Sequence, residues 1–175
     1  SGPIESDHDW DTYTRDQLAL MTHLGFERFA VVGMCIGGPY ILNLLKLAPE
    51  RVVASVVMQT IGRDNNRQEF LAMFDGWADQ LHQSGPQRYG SEAMLGLRRR
   101  MFENDLTFMC MTESDVQQLD APMLILDGAD TYHPATSSQR LAELQPQAER
   151  IHEWKTSPDL ELAGDRLVAF FHDHL

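Results

Sequence analysis

The segment Gly33-Met34-Cys35-Ile36-Gly37-Gly38 constrains this chain more than any other. Ahead of it runs the apolar stretch Phe29-Ala30-Val31-Val32; behind it Tyr40, Ile41, Leu44, Leu45 and Ala48 recur at helical spacing and stop before Pro49. An uninterrupted apolar run of that length has the pattern of a strand buried on both faces of a parallel sheet, and the helix that follows can cover such a sheet. Strand, glycine-rich turn and helix, in that order, form the context of a nucleophile elbow, where a sharp turn lifts one side chain clear of the sheet. The apex residue has a strained backbone, so the positions two before and two after it, Gly33 and Gly37, are expected to be small to avoid collision. Gly38 adds room for close packing of the helix on the sheet.

The apex here is Cys35. A thiol at a helix N-terminus faces unpaired N–H groups and the positive end of the helix dipole, so the sequence predicts a sulfur biased toward thiolate. The Ile36 N–H would be one donor to an oxyanion formed when Cys35 attacks a carbonyl. The competing reading is a buried free cysteine beside a packing turn. No Lys-Ser or Lys-Thr follows as a phosphate loop requires, and the glycine spacing is not that of a dinucleotide fingerprint. Cys110, set among Phe108, Met109 and Met111, reads as packing.

The rest of the chain alternates in the same sense. Residues 12–23 form a helical pattern stopped at Gly25, and Val52 to Met58, Met123 to Leu126 and Arg150 to Trp154 are further strand candidates. Helical patterns over 136–144 and 159–173 follow the last two strands, which gives βα units and a parallel sheet of about four strands: an α/β class. Residues 61–121 far exceed the usual ~2–6 residue connection and read as an insertion. Within it Phe70, Phe74, Trp77 and Leu81 mark one amphipathic helix, and Met94, Leu97, Met101 and Phe102 another. The expected organisation is therefore a core of residues 1–60 and 122–175 with a helical lid at 61–121. The Arg98-Arg99-Arg100 run reads as a solvated helix face.

Charge narrows the partners. Fourteen Lys and Arg against 26 Asp and Glu give a formal net charge of -12, which repels phosphate backbones and anionic membranes. Two distant cysteines suggest neither a metal site nor a disulfide framework, and point to a reducing compartment. No apolar run approaches the roughly 20 residues that span a bilayer, and the first residues have no signal-peptide pattern, so a soluble, cytoplasmic chain is expected.

With strand, Gly-x-Cys-x-Gly-Gly turn, helix, strand, helical insertion and Leu126-Asp127-Gly128-Ala129-Asp130 in place, the chain resembles the α/β-hydrolase superfamily over nearly all of its 175 residues. Cysteine in place of the usual serine is similar to dienelactone hydrolases, while the insertion looks more like that of esterases and C–C hydrolases. The resemblance implies that Asp130 is the acid of a triad, orienting a histidine; a cap on the helix beginning near Pro134 is the other role open to it. It also places the histidine in the loop after the last strand, which here reads Lys155-Thr156-Ser157-Pro158. His152 falls inside the last strand, and His172 and His174 at the far end of the last helix. His133, three residues after Asp130, should lie at the C-terminal edge of the sheet beside the elbow, where it could serve as base or thiolate partner.

A complete domain of this type would supply about four more strands and a helix ahead of this segment, including the loop with the second oxyanion donor. The strand around Val31 is then expected to present an open edge, through which a homodimer could form. The expected activity is hydrolysis of a small carboxylic ester, thioester or lactone through a Cys35 acyl intermediate, with no metal and no cofactor. The alternatives are a catalytically silent binding module of the same fold and a redox-sensing thiol protein.

Overall fold

In the computed structural model, residues 4–85 and 90–175 are described. Helix α1 (Trp10–His23) leads into strand β1 (Phe29–Cys35), helix α2 (Gly37–Leu47) and strand β2 (Val52–Thr60). Helices α3 (Arg67–Ser84), α4 (Ser91–Phe102) and α5 (Glu113–Gln117) follow. Then come β3 (Met123–Leu126), α6 (Ala135–Leu144), β4 (Glu149–Ile151) and α7 (Asp159–His174). The four strands are parallel and run in the spatial order β1-β2-β3-β4, with Val31 beside Ser55, Val57 beside Ile125 and Leu126 beside Ile151.

Strand periodicity sorts the side chains into two cores. Val57, Met123 and Ile125 face α2 and α6, burying Ile41, Leu42, Leu45 and Leu141, while Ala54, Val56, Leu124 and Leu126 face Ala163 and Phe170 of α7. A third apolar cluster gathers Trp10 of α1 with Phe70 and Phe74 of α3, Met94, Leu97, Met101 and Phe102 of α4, and Ile61 and Met109. This cluster sits against Cys35, Tyr40 and Tyr132, so the long connection between β2 and β3 packs beside the elbow. None of the described helices is long and apolar enough to cross a membrane.

Three local expectations need correction. Strand β1 is not buried on both faces: Val32 and Met34 are 51% and 48% exposed. They share a face with Ala30, on the side where α7 lies over β2, and among the described residues nothing pairs with the outer edge of β1. The last strand is Glu149–Ile151 and not Arg150 to Trp154; His152 lies beyond it, and the side chains of Arg150 and His152 both turn to the carboxylate of Asp127. The arginine run is only partly solvated: Arg99 and Arg100 are exposed, but Arg98 is held by Asp75 at 2.7 Å and by Glu103.

Gly38 seats α2 on β2. A Cβ there would lie 2.1 Å from Thr60 Oγ1 and 2.6 Å from Thr60 Cβ, so even a methyl group forces helix and strand apart. Gly38→Ala is expected to destabilise the protein by about 1–3 kcal/mol and lower Tm by several degrees in a thermal melt.

Candidate active site

The elbow is present. Cys35 has φ 58°, a left-handed backbone that non-glycine residues rarely adopt, and α2 starts two residues later. The strain is held by the neighbouring strand: Ile61 N–H donates to the Cys35 carbonyl at 3.2 Å, and the register skips one residue so that Cys35 pairs with Thr60. Gly33 is required, since its Cβ would meet the Gly37 carbonyl at 2.8 Å. Gly37 is not, because a Cβ there meets nothing within 4 Å. The collision expected on both sides of the apex arises on one side only.

The charge state of the sulfur also differs from expectation. Burial pushes the Cys35 thiol up; the Ile36 amide partly opposes this, and the Asp130 carboxylate adds to it. Helix-end electrostatics are outweighed by the apolar cluster that the β2–β3 connection packs onto the thiol, a long-range contact that local sequence does not display. Because burial penalises the anion, iodoacetamide labelling of Cys35 should rise only at pH above the ordinary thiol value of about 8.5. Cys110, pushed up to about 12 by burial, should label later still. Half-labelling of Cys35 below pH 7 would contradict this.

The acid turn lies at the same edge of the sheet, two strands away: about 10 Å of backbone separation, which two side chains can bridge. Gly128 makes the turn possible, since a Cβ on it would meet the His133 carbonyl oxygen at 2.0 Å. Asp130 does not cap α6, whose N-cap is Pro134. Instead its Oδ1 accepts from the backbone N–H of Tyr132 and of His133, at 3.0 and 2.9 Å. Both carboxylate oxygens also meet His133 Nδ1, at 2.8 and 2.9 Å, and this holds the Asp130 carboxyl below the usual carboxylate range. His133 is therefore fixed through one ring nitrogen. With Nδ1–H donated to Asp130, Nε2 carries the lone pair, and that atom is buried with no hydrogen-bond partner among the described residues.

The other histidines are placed elsewhere. His152 lies just past β4 with Nδ1 3.0 Å from Asp127, and His172 and His174 occupy the last turn of α7, where the His174 ring packs on Phe170. No group of three or more His, Cys, Asp or Glu among the described residues could hold a metal ion.

Supporting residues emerge that the sequence did not single out. Asn66 stands at the N-cap of α3 yet makes no capping bond. Its buried amide donates to the Gly62 and Thr131 carbonyls, at 2.9 and 2.7 Å, and ties the acid turn to the loop leaving β2. Asp127, 7% exposed, takes two bonds from Arg150, at 2.9 and 2.8 Å, while its carbonyl accepts from Trp154 Nε1. The cue for Asp127 was available: a carboxylate closing a buried apolar strand needs a cationic partner.

No family model matches the chain. Solved structures do. It is similar to MGS-M2, an alpha/beta hydrolase enzyme from a Medee basin deep-sea metagenome library, at 14% identity and TM-score 0.68, over 95% of this chain and 73% of that one. The 2-hydroxy-6-oxo-6-phenylhexa-2,4-dienoate hydrolase of Rhodococcus sp. strain RHA1 matches at 19% identity and TM-score 0.67, over 98% and 74%. A serine hydrolase from the polyaromatic hydrocarbon-degrading bacterium Cycloclasticus zankles matches at 17% and 0.66, over 99% and 74%.

Proposed function

We propose that this chain, which carries a partial α/β-hydrolase fold, hydrolyses a small carboxylic ester, thioester or lactone through an acyl intermediate on Cys35. One observation carries the reading: a histidine whose Nδ1 is clamped by a carboxylate and whose buried Nε2 has no partner, at the sheet edge that also holds a strained apex thiol. Names of the matched proteins support hydrolysis in general, and one of them is a serine hydrolase.

The raised thiol sets the order of events. Cys35 begins neutral, so its proton passes to His133 Nε2 as the sulfur attacks the carbonyl carbon, and Asp130 stabilises the imidazolium. The Ile36 N–H bonds the developing oxyanion. Collapse of the tetrahedral intermediate expels the alkoxide or thiolate, which takes the proton from His133 and leaves the acyl group on sulfur. Water, deprotonated by the same Nε2, then attacks the thioester; collapse releases the acid and the Cys35 thiol. In this reading residues 61–121 are a cap, whose Phe70, Phe102 and Met109 belong to the buried cluster against which Cys35 packs.

The second reading is a silent binding module. It is favoured by the loop after β4, which holds Lys155 and Thr156 where the resemblance expects a histidine. Release of p-nitrophenolate from p-nitrophenyl butyrate, compared with Cys35→Ala, decides between them. Turnover that needs Cys35 supports the hydrolase; none, or turnover that survives the substitution, supports the module. The redox sensor is disfavoured, since such thiols are exposed and have low pKa values.

A further inference from the structure

Among the described residues, four that are not glycine have a left-handed backbone. Such strain persists only where the surrounding structure holds it, and it concentrates at working sites. One of the four is Cys35. Another is Gln59, at φ 35°, the last residue but one of β2. Asparagine, which has this conformation at Asn65, can stabilise it through its short side chain; glutamine has no such local means.

The two strained residues are neighbours across the sheet. Met34 pairs with Met58 and Cys35 with Thr60, so Gln59 is the one residue between them without a partner on β1, a bulge. With about 4.8 Å between strands and about 3.4 Å along them, its backbone stands about 6 Å from that of Cys35. On its other side Met58 pairs with Leu126, which sets Gln59 level with Asp127, one residue before the glycine of the acid turn. The end of β2 therefore lies between nucleophile and base. Bulges bend a strand, re-aim the side chain they carry and recur beside active sites.

The side chain is unused within the fold. Gln59 is partly exposed, and its amide, with a carbonyl oxygen and two N–H groups to offer, makes no hydrogen bond to a described residue. The bonds that fix the bulge come from its neighbours. Ile61 N–H holds the Cys35 carbonyl at 3.2 Å, and Thr60 Oγ1 donates to the Ile61 carbonyl at 3.0 Å. Backbone geometry alone would be served better by glycine, which adopts a positive φ without strain.

The mechanism above supplies what the amide lacks. The leaving oxygen of an ester or lactone takes its proton from His133 Nε2, and the hydrolytic water gives a proton to the same atom, so both oxygens pass between Cys35 and His133, over the end of β2. We propose that Gln59 holds this oxygen at each stage. Its Nε2–H donates to the leaving oxygen as the C–O bond breaks. The water that follows donates one O–H to Gln59 Oε1 and passes its other proton to His133 Nε2, while its oxygen bonds the thioester carbon. Collapse then breaks the C–S bond and returns the proton to sulfur. This role rests on the reading of Cys35 above and adds to it the group that places the water.

Gln59→Gly tests it, because glycine keeps the left-handed backbone at no steric cost and removes only the amide. Its Tm should equal or exceed that of the native protein. With p-nitrophenyl butyrate, two rates are followed by rapid quenching and mass spectrometry: the appearance of the butyryl group on Cys35 and its loss to water. Appearance should keep the native rate, since p-nitrophenolate departs without help. Loss should slow at least tenfold, so that the butyryl form accumulates. Loss at the native rate, an equal fall in both rates, or a Tm that falls with them would overturn the assignment. A native protein that never carries a butyryl group on Cys35 gives a different result, which removes the nucleophile and this role together.

Discussion

Cys35→Ala is expected to lower ester turnover by about three orders of magnitude or more, whereas Cys35→Ser should keep a readily measured part of it. The contrast follows from the charge state of the sulfur. An enzyme built on a preformed thiolate fails with serine, because no such site ionises a hydroxyl in advance. Here burial pushes the Cys35 thiol up, and in the proposed mechanism the nucleophile is activated only as its proton moves to His133. A hydroxyl at the same left-handed apex can pass its proton to the same atom. Initial rates with p-nitrophenyl butyrate check this: a Ser variant as inactive as the Ala variant would mean that thiolate, and not concerted proton transfer, drives the attack.

The second large effect is expected at His133. Removing the imidazole in His133→Ala takes away the base, a loss of about 10²–10⁴ in kcat. The turn that carries it should survive. Asp130 Oδ1 still accepts from the backbone of residues 132 and 133, so the thermal melt should move little while the rate collapses. Gly128→Ala provides the opposite case, since a Cβ 2.0 Å from the His133 carbonyl forces the turn itself open and should lower both stability and rate. Full activity in His133→Ala would remove this residue from the mechanism.

Much of this architecture is readable from residue pattern. Phe29 to Gly38 specifies strand, sharp turn and helix, because local apolar spacing and glycine placement act within a few residues of each other. The long connection between β2 and β3 is legible from its length, and its first two helices from Phe70, Phe74, Met94 and Leu97. Even α5 carries a signature in the sequence, the capping box Thr112 to Asp115. What escaped depends on partners distant in sequence. Whether Val32 and Met34 are covered is decided by how far α7 extends across the sheet, and the side chains of Arg150 and His152 find their partner in Asp127, 23 and 25 residues earlier. The thiol is pushed up because the cluster that includes α3 and α4 residues buries it, and Asn66 gains meaning only once the loop leaving β2 meets the turn at Thr131. Periodicity carries no information about such meetings.

The direct test of the account is to trap the acyl group. The protein is mixed with p-nitrophenyl acetate at neutral pH, quenched in acid within the first turnovers, digested and mapped by mass spectrometry. An acetyl group should appear on the peptide containing Cys35, form more slowly in His133→Ala and be absent from Cys35→Ala. Sustained ester turnover with the Cys35 peptide unmodified, or acetyl on another residue that forms at the same rate in Cys35→Ala, would contradict it.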